Sequence, residues 1–126
     1  MSLAPVLPVE PGRSTDRVLP HDLLAEQSTL GAMLISQEAV AEVFEYVHGA
    51  DFYAPKHQII FDALLTLYGT GEPTDVITVT DQLVKTGSLV RSGGADYLHT
   101  LTSTVPTAAN ASFYAKIVAE KATLRR

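Results

Sequence analysis

The side chains able to do chemistry are few and widely spaced. His21, His48, His57 and His99 are separated by intervals that fit no metal-ligand motif, and the chain has no cysteine. That excludes disulfides, thiolate zinc sites and cysteine nucleophiles. Glu38, Glu42 and Glu45 are close enough to suggest a carboxylate cluster, but at helical spacing they fall away from the apolar stripe and read as a solvated face. Gly93-Gly94 is not followed by the Gly-Lys-Ser/Thr of a phosphate cradle, and no His-Glu-x-x-His or Gly-x-Ser-x-Gly occurs. Two polar residues stand out by position instead. Gln27 sits at the centre of one apolar helical face, and His57 projects from the middle of another, near Phe61 and Leu64. Each is either a core residue with its hydrogen bonds satisfied or a functional group in a pocket. An acid–base site could be assembled only from these two and carboxylates that folding brings near.

Gln27 belongs to a helix predicted between Pro20 and Ile35. Asp22 is a good N-cap, Glu26 places an acid near the positive helix end, and Ser36 both ends this helix and caps the next. Leu23, Gln27, Leu30, Gly31, Leu34 and Ile35, with Leu24 at the edge, share one broad face. Gly31 costs about 1 kcal/mol of helix propensity against alanine, so its presence predicts a second helix packed very close. A further helix over 38–47 carries Val40, Val43, Phe44 and Val47 on one stripe, with His48-Gly49 as a cationic, left-handed stop. His57 lies on a helix that opens at Pro55 and runs to about Tyr68, its apolar arc formed by Ile60, Phe61, Leu64, Leu65, Leu67 and Tyr68.

Val76-Ile77-Thr78-Val79-Thr80 is β-branched and favours a strand. Asp75 as N-cap, the helical repeat of Val76, Val79, Thr80 and Leu83, and the Lys85/Gly87 ending favour a helix, and no other strand is available to pair. A helix is therefore expected. Ser88 to Gly94 reads as a loop, and a short helix over 95–103 presents Tyr97, Leu98 and Leu101 before Pro106 breaks it. The last helix begins near Thr107 or Ala108 and continues to Arg126. Its apolar side chains Phe113, Tyr114, Ile117, Val118 and Leu124 have no obvious partner left in the chain, which predicts an assembly surface and a continuation beyond Arg126.

The whole reads as one all-α domain, a compact bundle of about six helices over residues 20–126, behind a flexible leader over 1–19 marked by Pro5, Pro8 and Pro11. With 126 residues, 46% of them hydrophobic, the chain can bury a core. A net charge of −5 argues against a nucleic-acid surface that works by bulk electrostatics. No run approaches the roughly 18 apolar residues of a membrane span. The prolines and the lack of a positive n-region make the N-terminus unlike a signal peptide. The expected compartment is the cytosol.

The ordered motifs carry a resemblance. Pro20-His21-Asp22 with Ala25-Glu26-Gln27-Ser28-Thr29-Leu30-Gly31 resembles the opening of the N-terminal domain of bacterial replicative DNA helicases of the DnaB type. Asp51-Phe52-Tyr53, His57, Ile60-Phe61, Gly71-Glu72-Pro73-Thr74-Asp75, Gly93-Gly94, Tyr97-Leu98, Pro106-Thr107-Ala108-Ala109-Asn110 and Tyr114 follow in order, so that the likeness covers residues 20–126. It implies an all-helical collar whose last helix is the first arm of a protruding hairpin. That hairpin pairs with a neighbouring subunit to give a dimer, and a hexamer as a trimer of dimers. It implies primase as a partner, a helicase loader or initiator as a further one, and a bacterial cytoplasmic setting at replication forks. Gln27, Leu30, Gly31, His57 and Phe61 become structural signature residues. ATP, magnesium and DNA contacts belong to a RecA-like motor beyond a linker, and no position here matches one. This chain alone is therefore expected to have no cofactor and no ATP hydrolysis. A stand-alone helical dimerisation or adaptor module is the alternative.

Overall fold

The computed structural model describes residues 18–126, so all of the predicted leader but the exposed Val18 and Leu19 lies outside the described residues. The described chain is all-α: α1 (Leu23–Ile35), α2 (Gln37–Phe44), a 3-10 turn (Gly49–Asp51), α3 (Pro55–Gly69), α4 (Val76–Lys85), α5 (Gly94–Thr104), a second 3-10 turn (Ala108–Asn110) and α6 (Ala111–Arg125). The start signals act as expected. Asp22 Oδ1 accepts the Ala25 N–H at 2.9 Å, and Ser36 accepts from Ala39 N–H at 3.2 Å while its own N–H donates to Ala32 O. Asp75 accepts the Thr78 N–H at 2.8 Å, so the β-branched run is helical, with Val79 and Leu83 in the core. Tertiary burial and a cap together outweigh strand propensity there.

Helix α1 is the central element, packed against α2, α3, α5 and α6. Its burial corrects the single-face reading. Leu23, Leu24 and Ile35 are 43%, 63% and 55% exposed, whereas Ala25, Glu26, Ser28, Thr29 and Ala32 are buried with Leu30, Met33 and Leu34. A helix surrounded by neighbours needs small residues where each one crosses, and its terminal leucines and isoleucine project past those crossings. Gly31 marks the tightest: a Cβ there would strike the Leu101 carbonyl oxygen of α5 and come within 3.2 Å of Val105 Cβ. The predicted close helix contact is therefore α1 on α5.

Three local readings also change. Helix α2 ends at Phe44, and Gly49 does not make a left-handed stop; it opens the 3-10 turn, where a side chain would meet the Asp62 carboxylate at 2.7 Å. Leu65 is 48% exposed rather than part of the buried arc of α3. On α6, Ala111, Ala115, Val118 and Ala122 recur at helical spacing and are buried, and the helix packs on α1 and α2. Val118, grouped from sequence with the assembly surface, is only 1% exposed and belongs to the intrachain core. From Ala111 to Arg125 the helix lies along the body. Small alanines let it approach closely, a face that a search for large apolar residues passes over.

Candidate functional site

The polar residues singled out in the sequence meet. His57 on α3 is 1% exposed, and its Nδ1 lies 2.7 Å from Glu26 Oε1, on α1 and equally buried. Its Nε2 lies 2.6 Å from the hydroxyl of Tyr97, on α5, which is also 3.2 Å from Gln27 Nε2. The Glu26 carboxylate takes two more donors, the backbone N–H groups of Tyr53 (2.6 Å) and Ala54 (3.3 Å) in the connector before α3. One proton arrangement satisfies every partner. Gln27 donates to the Tyr97 oxygen, Tyr97 O–H donates to His57 Nε2, and His57 Nδ1–H donates to Glu26, which accepts three donors. Buried polar groups in such a fully satisfied network hold their surroundings in one geometry. Here they tie α1, α3, α5 and the Phe52–Ala54 connector together. The His57 and Tyr97 rings stack at 5.8 Å, and Lys56 Nζ sits 3.7 Å over the Tyr97 ring, closing the outer end.

Of the two readings left open for Gln27 and His57, the geometry favours the satisfied core residue. His57 has both ring nitrogens engaged, and among the described residues three surface cavities are lined by none of Glu26, His57 or Tyr97. Gln27 is half-buried at the rim rather than at the centre of the core. Leu30 (0%) and Phe61 (1%) are core residues as expected. Glu26 and Tyr97 were not picked out as members of this network. Glu26 reads in sequence as a first-turn acid favoured by the helix dipole, and only the return of the connector over it makes it a buried acceptor. The predicted glutamate face, Glu38, Glu42 and Glu45, is exposed.

A second cluster joins the two ends of the described chain. Arg125 donates to Pro20 O (2.9 Å) and to Asp51 O (2.6 Å), while Arg126 reaches the buried Asp51 carboxylate at 2.7 Å. Asp51 also accepts the His48 N–H at 2.8 Å. The His21 ring stacks on Tyr53 at 4.0 Å, and Arg125 lies 5.5 Å from that ring. The end of α6 thus grips both the approach to α1 and the connector that supplies donors to Glu26. No sequence spacing announces this, because the partners are separated by most of the domain.

Outward-facing apolar side chains gather on α6. Phe113 and Leu124 are 62% and 61% exposed, Ile117 is 36% exposed, and Tyr114 is half-buried. Tyr114 and Ile117 form one wall of a cavity of about 260 Å³ whose other walls include Asp22, Leu24 and Pro106. A more polar groove of about 330 Å³ lies between α3 and α4, with Asp62 and Arg91 at its edges. Burial there pushes the Asp62 carboxyl above the ordinary carboxylate range.

These features define a class: an all-α domain whose central helix is locked by a buried polar network and whose last helix displays apolar side chains. The profile of the family described as DnaB-like helicase N terminal domain matches residues 18–120, and the chain belongs to that family. It is 70% identical over 114 residues to the replicative DNA helicase DnaB of Leifsonia xyli subsp. xyli, a match covering 90% of this chain and 25% of that protein. With the replicative DNA helicase DnaB of Mycobacterium leprae it shares 58% identity over 118 residues, covering 94% of this chain and 20% of the relative. The crystal structure of the N-terminal domain of DnaB helicase from Mycobacterium tuberculosis superposes with a TM-score of 0.84 at 60% identity, covering 86% of this chain and 75% of that one. The chain therefore spans a quarter or less of the length of these two curated relatives.

Proposed function

We propose that this chain acts as the collar of a bacterial replicative DNA helicase, a scaffold for subunit assembly and for docking of primase rather than a motor. Family membership supports the helicase setting. The observation that carries the scaffold reading is the exposed row of Phe113, Ile117 and Leu124 on a helix whose alanine face is already used within the chain. Side chains of this size left in water on one helix are suited to helix–helix association. Dimers formed this way would combine as a trimer of dimers in a hexamer. ATP, magnesium, 5′-to-3′ unwinding and DNA contact would belong to a RecA-like motor, with a helicase loader or initiator as a further partner and the bacterial cytoplasm as the setting. Among the described residues, no helix is long and apolar enough to cross a membrane.

Light scattering across a concentration series tests the scaffold. Wild type should shift toward dimer, and Leu124→Asp should remain monomeric with an unchanged melting temperature. Identical masses for the two chains at every concentration would overturn it. The motor assignment is tested separately: this chain should neither hydrolyse ATP nor unwind a forked duplex, and DNA-stimulated ATPase activity from it would refute the division of labour.

A further inference from the structure

We propose that the cavity walled by Leu24, Pro106, Tyr114 and Ile117 is a docking groove for the chain's own proline-rich N-terminal stretch, Pro5 to Pro11, and that this contact competes with subunit association. The inference rests on the reading of the Tyr114–Ile117 face as an assembly surface, and supplies a regulator for it. Three observations converge. The first is the shape and chemistry of the groove: about 260 Å³, with aliphatic, proline and tyrosine walls beside the polar Asp22, Ser28 and Thr104. Grooves lined in this way suit polyproline II segments, whose backbone makes no internal hydrogen bonds and whose carbonyls can accept from a hydroxyl such as that of Tyr114.

The second is the sequence of the occupant. Pro5-Val6-Leu7-Pro8 and Pro8-Val9-Glu10-Pro11 are two overlapping Pro-x-x-Pro units, with Val6, Leu7 and Val9 as apolar side chains between the prolines and Glu10 as the one charged residue. Such a segment loses little conformational entropy on binding, because proline already restricts it. The third is attachment. Asp22 itself lines the groove, and Arg125 holds the chain just before it through Pro20 O at 2.9 Å. The residues between Leu7 and Asp22, at about 3 Å each when extended, are ample to double back over a helix about 10 Å across. A short tether gives an effective concentration in the millimolar range. A contact with a dissociation constant of about 1 mM would therefore be about half-occupied, and would raise the apparent dimer dissociation constant about fourfold, a factor of two from each chain.

The test compares the full chain with Val6→Asp/Leu7→Asp, which leaves the groove and the described core untouched. Amide spectra at a concentration where both are monomeric should differ near Leu24, Thr104, Tyr114 and Ile117. A synthetic peptide of residues 3–12 added to the double variant should move those same signals back toward their wild-type positions. Identical spectra, or differences confined to other helices, would overturn the docking, as would differences that vanish on dilution, which mean capture by a second copy. Light scattering then separates the two readings. About fourfold tighter association of the double variant supports competition, and unchanged association alongside groove shifts overturns it. If the groove signals shift while neither chain associates at any concentration, the leader docks but the assembly surface has been misassigned.

Discussion

Replacing Glu26 by glutamine changes almost no volume and should nonetheless cost more than most single substitutions in this domain. The carboxylate accepts from Tyr53 N–H, Ala54 N–H and His57 Nδ1–H, all at 3.3 Å or less. An amide has one acceptor oxygen and presents an NH2 group to one of these donors. His57 can respond only by moving its proton to Nε2, which then points at a Tyr97 oxygen already accepting from Gln27 and forces the tyrosine proton out of the network. At least one buried donor is left facing another donor. Leaving a buried donor unsatisfied costs about 1–3 kcal/mol, a sizeable part of the roughly 5–15 kcal/mol typical of a whole domain. Tyr97→Phe works at the half-buried end, where water can replace the hydroxyl, and should cost about 1 kcal/mol. Urea unfolding of both single variants and the double variant gives a cycle. Because the network runs through His57, the coupling should be about 0.5–2 kcal/mol. A Glu26→Gln midpoint within about 0.5 kcal/mol of wild type, or additive losses, would refute the idea that these groups act as one unit.

Other perturbations probe separate parts of the molecule. Gly31→Ala gains about 1 kcal/mol of helix propensity, but its Cβ meets the Leu101 backbone. Overpacking of this kind costs about 1–3 kcal/mol, so net destabilisation is expected, more severe for Gly31→Leu, and a raised melting temperature would mean that α1 and α5 are not in close contact. Val118→Asp should abolish the cooperative unfolding transition because it puts a charge into the core, whereas Leu124→Asp should leave it intact; calorimetry distinguishes them. Asp62 contributes through pH. Its folded-state carboxyl is held above the ordinary aspartate value of 3.8 by burial, so its favourable contribution is complete below that value and is lost as pH rises through the folded one. Asp62→Asn should therefore match wild type in acid and exceed it near neutrality, read as the difference between paired thermal melts; a variant less stable than wild type at neutral pH would contradict the sign. Arg125→Ala should loosen the approach to α1, seen as faster amide exchange at His21 and Tyr53 with the centre of α1 unchanged.

The residues that were legible in sequence are those whose role is local. Asp22, Ser36 and Asp75 announce helix starts because a cap acts within three residues, and Gly31 announces a crossing because glycine has no other reason to sit inside a helix. The partner at that crossing was not legible, since the α5 carbonyl that excludes a Cβ arrives from across the domain. The same limit governs the site. His57 looked anomalous because it is polar on an apolar arc, but Glu26 did not, because an acid in a first helical turn is ordinary until a connector closes over it. The largest misreading, the face of α1, arose from assuming that a helix buries one stripe of large side chains. A helix with neighbours on several sides buries small ones, and the leucines at its N-terminal end stay outside. On α6 the same physics runs the other way: alanines take the inward face and thereby release Phe113, Ile117 and Leu124 outward. What looks like a weak amphipathic pattern is thus two faces with two uses, small residues for packing within the chain and large ones for contacts beyond it.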